Sequence, residues 1–291
     1  MPRAKPALSA KPKPTTKAVA KPFPNIFSLL DWSYQHIAKD AELRNAFMLV
    51  SGGFAVLSSL LVWAARGESS PPLALVATHM FVIVASMILS VCFQIAVSRR
   101  ILGMRDGKTV PERLPEAAKR ILPVLWTGMT TAFVVLGSLF IPIVGLLLYG
   151  TWTSLAKLTA ISGEAYGLAA TERSVNVVRG AWWRMFGYDL AFIMMFALPL
   201  ITVGFATAVA AAVGGPIGIL FSFVMGAAGA VISTFFMAYE TEKYVAFVAA
   251  KPSAAIAGPH RTVEMLILCW LGIVIAIIIA AFMIASSMLY H

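Results

Sequence analysis

Few side chains in this sequence could do chemistry. Within its long apolar stretches the polar candidates are His79, Gln94, Lys157 and Asp189. Such groups are costly in hydrocarbon, so each is a functional candidate by default. Lys157 and Asp189 both fall within about two turns of the end of their stretch, where a lysine can snorkel to the surface. They could pair with each other, with Glu264 as a rival partner. Ser86, Ser90, Gln94 and Thr130 are the side chains that could line a polar cavity at depth. No run of acids and bases marks a proton relay. The histidines (His36, His79, His260, His291) are scattered, and Cys92 and Cys269 have no neighbour at metal-ligand spacing. No metal and no other cofactor is therefore expected. A clustered Asp/Glu/His set, the usual mark of an active site, does not assemble either, so the expectation is a non-enzymatic protein.

The most specific segment runs from Ser162 to Gly187. Leu168, Val175, Val178 and Trp182 recur at helical spacing on one side; Glu172, Asn176 and Arg179 fall on another. Gly180 then breaks the helix, and Trp182-Trp183-Arg184 stands before the next apolar stretch. Aromatic rings at headgroup depth beside a guanidinium read as an interfacial anchor. This predicts a short helix along the cytoplasmic surface that turns into the membrane. Arg173, Arg179 and Arg184, with Trp182 and Trp183, are the candidates for holding anionic lipid phosphates. The plainer alternative is that they only anchor and cap the helix entry.

The string Ala170-x-x-Arg173-Ser174, then Arg179-Gly180-x-Trp182-Trp183-Arg184-x-x-Gly187, resembles the hallmark of the glycerophosphoryl diester phosphodiesterase membrane-domain family and its multi-span relatives. Glu116-Ala117-Ala118-Lys119-Arg120-Ile121-Leu122-Pro123, Leu136-Gly137, Gly145 and Glu164 extend the likeness over about 111–244. Where the family pattern has Pro-Gly, this chain has Ile141-Pro142-Ile143-Val144-Gly145. The resemblance implies a membrane bundle. In the family's namesakes the phosphodiesterase activity resides in a separate soluble barrel with acidic and histidine ligands, and no such domain or ligand set is present here. Glycerophosphodiester hydrolysis is not expected.

The elements that must position these residues follow from composition. Of 291 residues 59% are hydrophobic and 12% charged, about half the charge of a soluble domain. The apolar residues come in long stretches rather than alternating as in a membrane barrel. This predicts an all-α membrane protein, a polytopic bundle of about seven helices with short cytoplasmic interfacial helices. Residues 1–22 form a basic Pro/Ala/Lys tail expected to be disordered. Residues 23–45 contain an amphipathic helix with Ile26, Leu29 or Leu30, Ser33 or Tyr34, and Ile37 on one face. It lies either in the interface or packed on the cytoplasmic loops. The bundle occupies 46–291, with spans at 47–65, 73–97, 121–140, 143–162, 186–213, 217–239 and 263–289. The third and fourth could instead be a kinked helix with a re-entrant piece.

Charge favours seven. Lys and Arg number eight up to Arg44, seven in 99–120, four in 157–184 and three in 243–261, leaving only Arg66 elsewhere. Seven crossings put these segments on one face, the cytoplasmic one. The N-terminus is then cytoplasmic and the C-terminus periplasmic in a bacterial inner membrane. The net charge of +10 is accounted for by anionic lipids rather than nucleic acid. Gly214, Gly218, Ser222 and Gly226 repeat every four residues and predict close packing of the sixth span on the fifth. The expected role is a scaffold, or a subunit binding lipids or other membrane proteins. A small-molecule transporter or lipid translocase is the alternative.

Overall fold

The computed structural model describes residues 23–65, 73–102, 109–140, 144–213, 215–251 and 262–289. Helix is the only regular structure among them, as expected where backbone groups must find their partners within one segment. The helices are α1 (Ile26–Lys39), α2 (Ala41–Ala65), α3 (Leu73–Leu102), α4 (Val110–Ala118), α5 (Ile121–Gly137), α6 (Val144–Thr153), α7 (Ala156–Ser162), α8 (Gly167–Val178), α9 (Trp182–Val213), α10 (Gly215–Ala250) and α11 (Thr262–Leu289). The basic tail, 141–143, Gly214 and 252–261 lie outside the described residues.

Five of these helices, α2, α3, α9, α10 and α11, are long and apolar enough to cross a membrane. The bent pair α4–α5, with 54° between its axes, makes six if it counts as one span. Against the expected count of about seven, the third stretch qualifies only together with α4, and the fourth is not one continuous helix. The fourth is two short helices, α6 and α7, separated by a turn at Ser154–Leu155. Hydroxyls there turn back on their own helix: Thr153 Oγ1 donates to the Tyr149 carbonyl at 2.7 Å and Ser154 Oγ to Thr151 at 2.9 Å. Such back-bonding bends helices. Ser174 of α8 completes the break by accepting from the Leu155 N–H (3.1 Å) and donating to the Trp152 carbonyl (2.7 Å).

Four helices form the central unit. Along α9 and α10, Asp189 meets Lys243, Phe196 meets Phe235, and Val203 lies opposite Gly229. Residue numbers rise on one helix as they fall on the other, so the two are antiparallel. The same holds for α2 and α10, where Gly226 abuts Ser51 and Ala55 while Ser222 bonds Ser59. In the α2–α3 pair, Phe47 meets Phe93, and Ser58 shares a groove with Ser86. Consequently α3 ends, α9 begins and α10 ends at one end of the unit. The helix α1 sits there too, burying Leu29, Leu30, Ser33 and Ile37, with Phe23 against Phe247 and the Tyr188 hydroxyl on the Pro24 carbonyl. Together with Phe23 and Pro24, its buried face packs on α9 and α10, while Phe27 and Tyr34 stay exposed.

Against this unit stand α5–α8 and α11. A Cβ on Gly137 would fall 1.9 Å from the Leu268 carbonyl oxygen, and one on Gly272 equally close to that of Phe133. The pairings 137–268 and 133–272 again run in opposite senses, so α5 and α11 are antiparallel. Seven alternating spans would have made the third and seventh parallel. Of the small-residue stripe, Gly226 and Ser222 of α10 pack on α2, whereas α9 meets α10 through aromatic rings among other contacts (Phe192 on Phe236, Phe196 on Phe235). An aliphatic or aromatic partner for α9 leaves the glycine face to the helix that can approach most closely.

Candidate functional site

The expected pair of Lys157 and Asp189 does not form. Asp189 is taken by Lys243, which has no exposed surface. Its ammonium donates to Asp189 Oδ1 at 2.5 Å and to Glu240 Oε1 at 2.6 Å and lies 5.7 Å from the Tyr239 ring centroid. The rival partner of the expected pair, Glu264, accepts from the Tyr149 hydroxyl. Lys157 donates to Gln94 Oε1 instead. A buried lysine held between two carboxylates is the arrangement by which low-dielectric surroundings tolerate charge. Sequence reasoning missed it because the sixth span was ended at Tyr239, which left Glu240 and Lys243 in a loop. Their i,i+3 spacing on a continuing helix was the available signal.

This triad adjoins a cavity of about 270 Å³ between α3, α7 and α10, where Gln94, Ser98, Ser154, Lys157, Ser233 and Glu240 supply the polar lining. A second groove of about 310 Å³ lies between α2 and α3 and is lined in part by Ser51, Ser58, Ser86 and Ser90. Both border one face of α3, where Ser86, Ser90, Gln94 and Ser98 follow at intervals of four. Gln94 Nε2 donates to Ser90 Oγ at 3.4 Å. Of the anticipated lining, Thr130 does not take part: it is buried and donates to carbonyls of its own helix.

The helix expected on the surface, α8, is embedded instead. Ala170, Thr171, Ser174, Val175 and Val178 are buried, and Thr127 Oγ1 of α5 accepts from the Gly167 N–H at 2.8 Å. Arg173 is partly buried. It pairs with Glu164, which also accepts from the Tyr244 hydroxyl at 2.7 Å. The remainder of the lipid set stays together at the surface. Trp183 is 77% exposed, Arg179 and Arg184 are exposed, and the Arg184 guanidinium lies 4.9 Å from the Phe23 ring. Trp182 stacks on Phe186. With Lys251, Trp182, Trp183, Arg184 and Phe23 line a groove of about 500 Å³. Lys251 donates to the Arg179 carbonyl, and burial lowers the pKa of its ammonium.

Among the described residues no three His, Cys, Asp or Glu side chains stand where they could hold a metal ion. Fold and site together define an all-α membrane bundle with a charged, hollowed cluster where α3, α7, α9 and α10 meet. Comparison of the chain with family models, with curated proteins and with solved structures gives no match.

Proposed function

We propose that this protein is a membrane transporter that admits a small polar solute into its bundle. The observation that carries the reading is the face of α3, where Ser86 and Ser90 line one cavity and Gln94 and Ser98 line the next, together with Lys157 and Glu240. Hydroxyl, amide and charged groups at depth are expensive unless they meet water, substrate or one another. A helix broken between α6 and α7, with a lysine just past the break, is also how transporters place polar groups inside a bundle. The basic end, which holds α1 and the start of α9, is the cytoplasmic side of a bacterial inner membrane in this reading.

The test is thiol labelling. In a protein with Cys92 and Cys269 replaced by alanine, single cysteines at Ser86, Ser90, Gln94 and Ser98 should react with a small water-soluble methanethiosulfonate, and one at the lipid-facing Met87 should not. Labelling of Met87→Cys alone discards the path.

A second reading has its own support. The groove at Trp182, Trp183, Arg184 and Lys251 combines two cations with exposed indole at the entry to α9, which suits an anionic lipid headgroup. A scaffold or subunit role would rest on that surface.

A further inference from the structure

We infer that the cavity between α3, α7 and α10 is a binding site for a small zwitterion of the α-amino-acid type. The inference rests on the proposed polar path and names what would occupy it. Charge points there first. Counted with their ordinary ionised forms, Asp189, Lys243 and Glu240 sum to one negative charge, and Lys157, whose one hydrogen bond among the described residues is to Gln94, adds one positive charge. The cavity has both ends in its lining. It is neutral overall but dipolar. A net-charged solute would leave one charge uncompensated in a low-dielectric interior; a zwitterion would not.

Hydrogen-bonding capacity agrees. Glu240 uses Oε1 for Lys243, which leaves Oε2 for a ligand ammonium. Lys157 has two further donors for a ligand carboxylate. Ser98, Ser154 and Ser233 offer hydroxyls between them. The rest of the wall is apolar, from Leu158, Ile161, Phe236 and Met237, and accepts a small aliphatic side chain. A volume of about 270 Å³ holds one such molecule and little more.

The experiment uses the full chain in phosphatidylcholine nanodiscs and equilibrium dialysis of radiolabelled glycine, L-alanine and L-leucine. Each is compared with the amine and the carboxylic acid that keep only one of its charges, for leucine isoamylamine and 4-methylpentanoate. At least one amino acid should bind saturably, with both of its single-charge analogues about tenfold weaker or more. Lys157→Met should weaken the amino acid by a similar factor. That side chain has a single hydrogen bond to lose, so the variant should fold; Glu240→Gln is the companion, and Arg184→Gln/Lys251→Gln should leave binding unchanged. The inference is overturned if none of the three binds, if an acid or amine alone binds as tightly, or if Lys157→Met binds undiminished. Thiol labelling that succeeds while no amino acid binds removes the zwitterion and leaves the path standing.

Discussion

At the scale of single residues, Lys243 is the side chain on which the cluster depends. Replacing it with methionine leaves Asp189 and Glu240 facing each other without their shared cation. Removal of one partner from a buried ion pair costs about 3–5 kcal/mol. Lys243→Met should therefore lower the thermal unfolding midpoint sharply, and Lys243→Met/Asp189→Asn/Glu240→Gln should recover much of the loss. Equal midpoints for the single and triple variants would contradict this account. The cations of the groove at the start of α9 behave differently. Arg184→Gln/Lys251→Gln should lower the midpoint much less, since Arg184 is exposed and the half-buried Lys251 gives up one hydrogen bond, to the Arg179 carbonyl. Native mass spectrometry should nonetheless find less phosphatidylglycerol retained, by about tenfold or more for each cation that contributes a charged hydrogen bond; equal retention would reduce these residues to an anchor. Asp189 was recognisable from sequence as a costly intramembrane acid, but its partner was not, because pairing across α9 and α10 depends on their register.

At the scale of elements, two contacts decide how the helices sit. The crossing of α5 and α11 has room for hydrogen only: a methyl group at Gly272 would overlap the Phe133 carbonyl. Gly272→Leu should force the pair apart, and a methanethiosulfonate cross-linker joining Val134→Cys to the native Cys269 should lose yield. Those two positions share a buried cluster, which antiparallel packing explains. The break between α6 and α7 depends on Ser174, whose loss strands the Leu155 N–H and the Trp152 carbonyl. The small-residue stripe of α10 was legible as a packing face, but which helix it receives was not. A periodic pattern states that a neighbour comes close and never which one.

At the scale of the whole molecule, the arrangement of the central unit bears on the number of crossings. Since α3 ends and α9 begins at the same end, the chain from α4 to α8 crosses an even number of times. Two crossings, by α5 and by α6 with α7, would give seven in all; none would give five. Both keep the four basic segments on one face, so the charge asymmetry fits either. The short α6 and α7 and the antiparallel α5 and α11 favour five, with α5–α7 as a re-entrant excursion. Val144, 64% exposed at the start of α6, separates the two counts. An impermeant thiol reagent added from the face opposite the basic end should label Leu73→Cys at the start of α3 and spare Val144→Cys. Labelling of both restores seven.

The amino-acid sequence by itself determined the solvent: hydrocarbon-length apolar runs with sparse charge permit only an all-α membrane bundle, and cation placement picks out one face. It also marked Gln94, Ser86 and Ser90 as a polar lining, because an interval of four puts them on one helix face whatever surrounds it. Tertiary structure alone decided that Lys243 rather than Lys157 meets Asp189, that α8 lies inside the bundle, and that the fourth apolar run is broken. Hydropathy sums each segment independently. Ion pairs, close glycine contacts and the Ser174 stitch join residues far apart in the chain, and they exist only once the helices have chosen their neighbours.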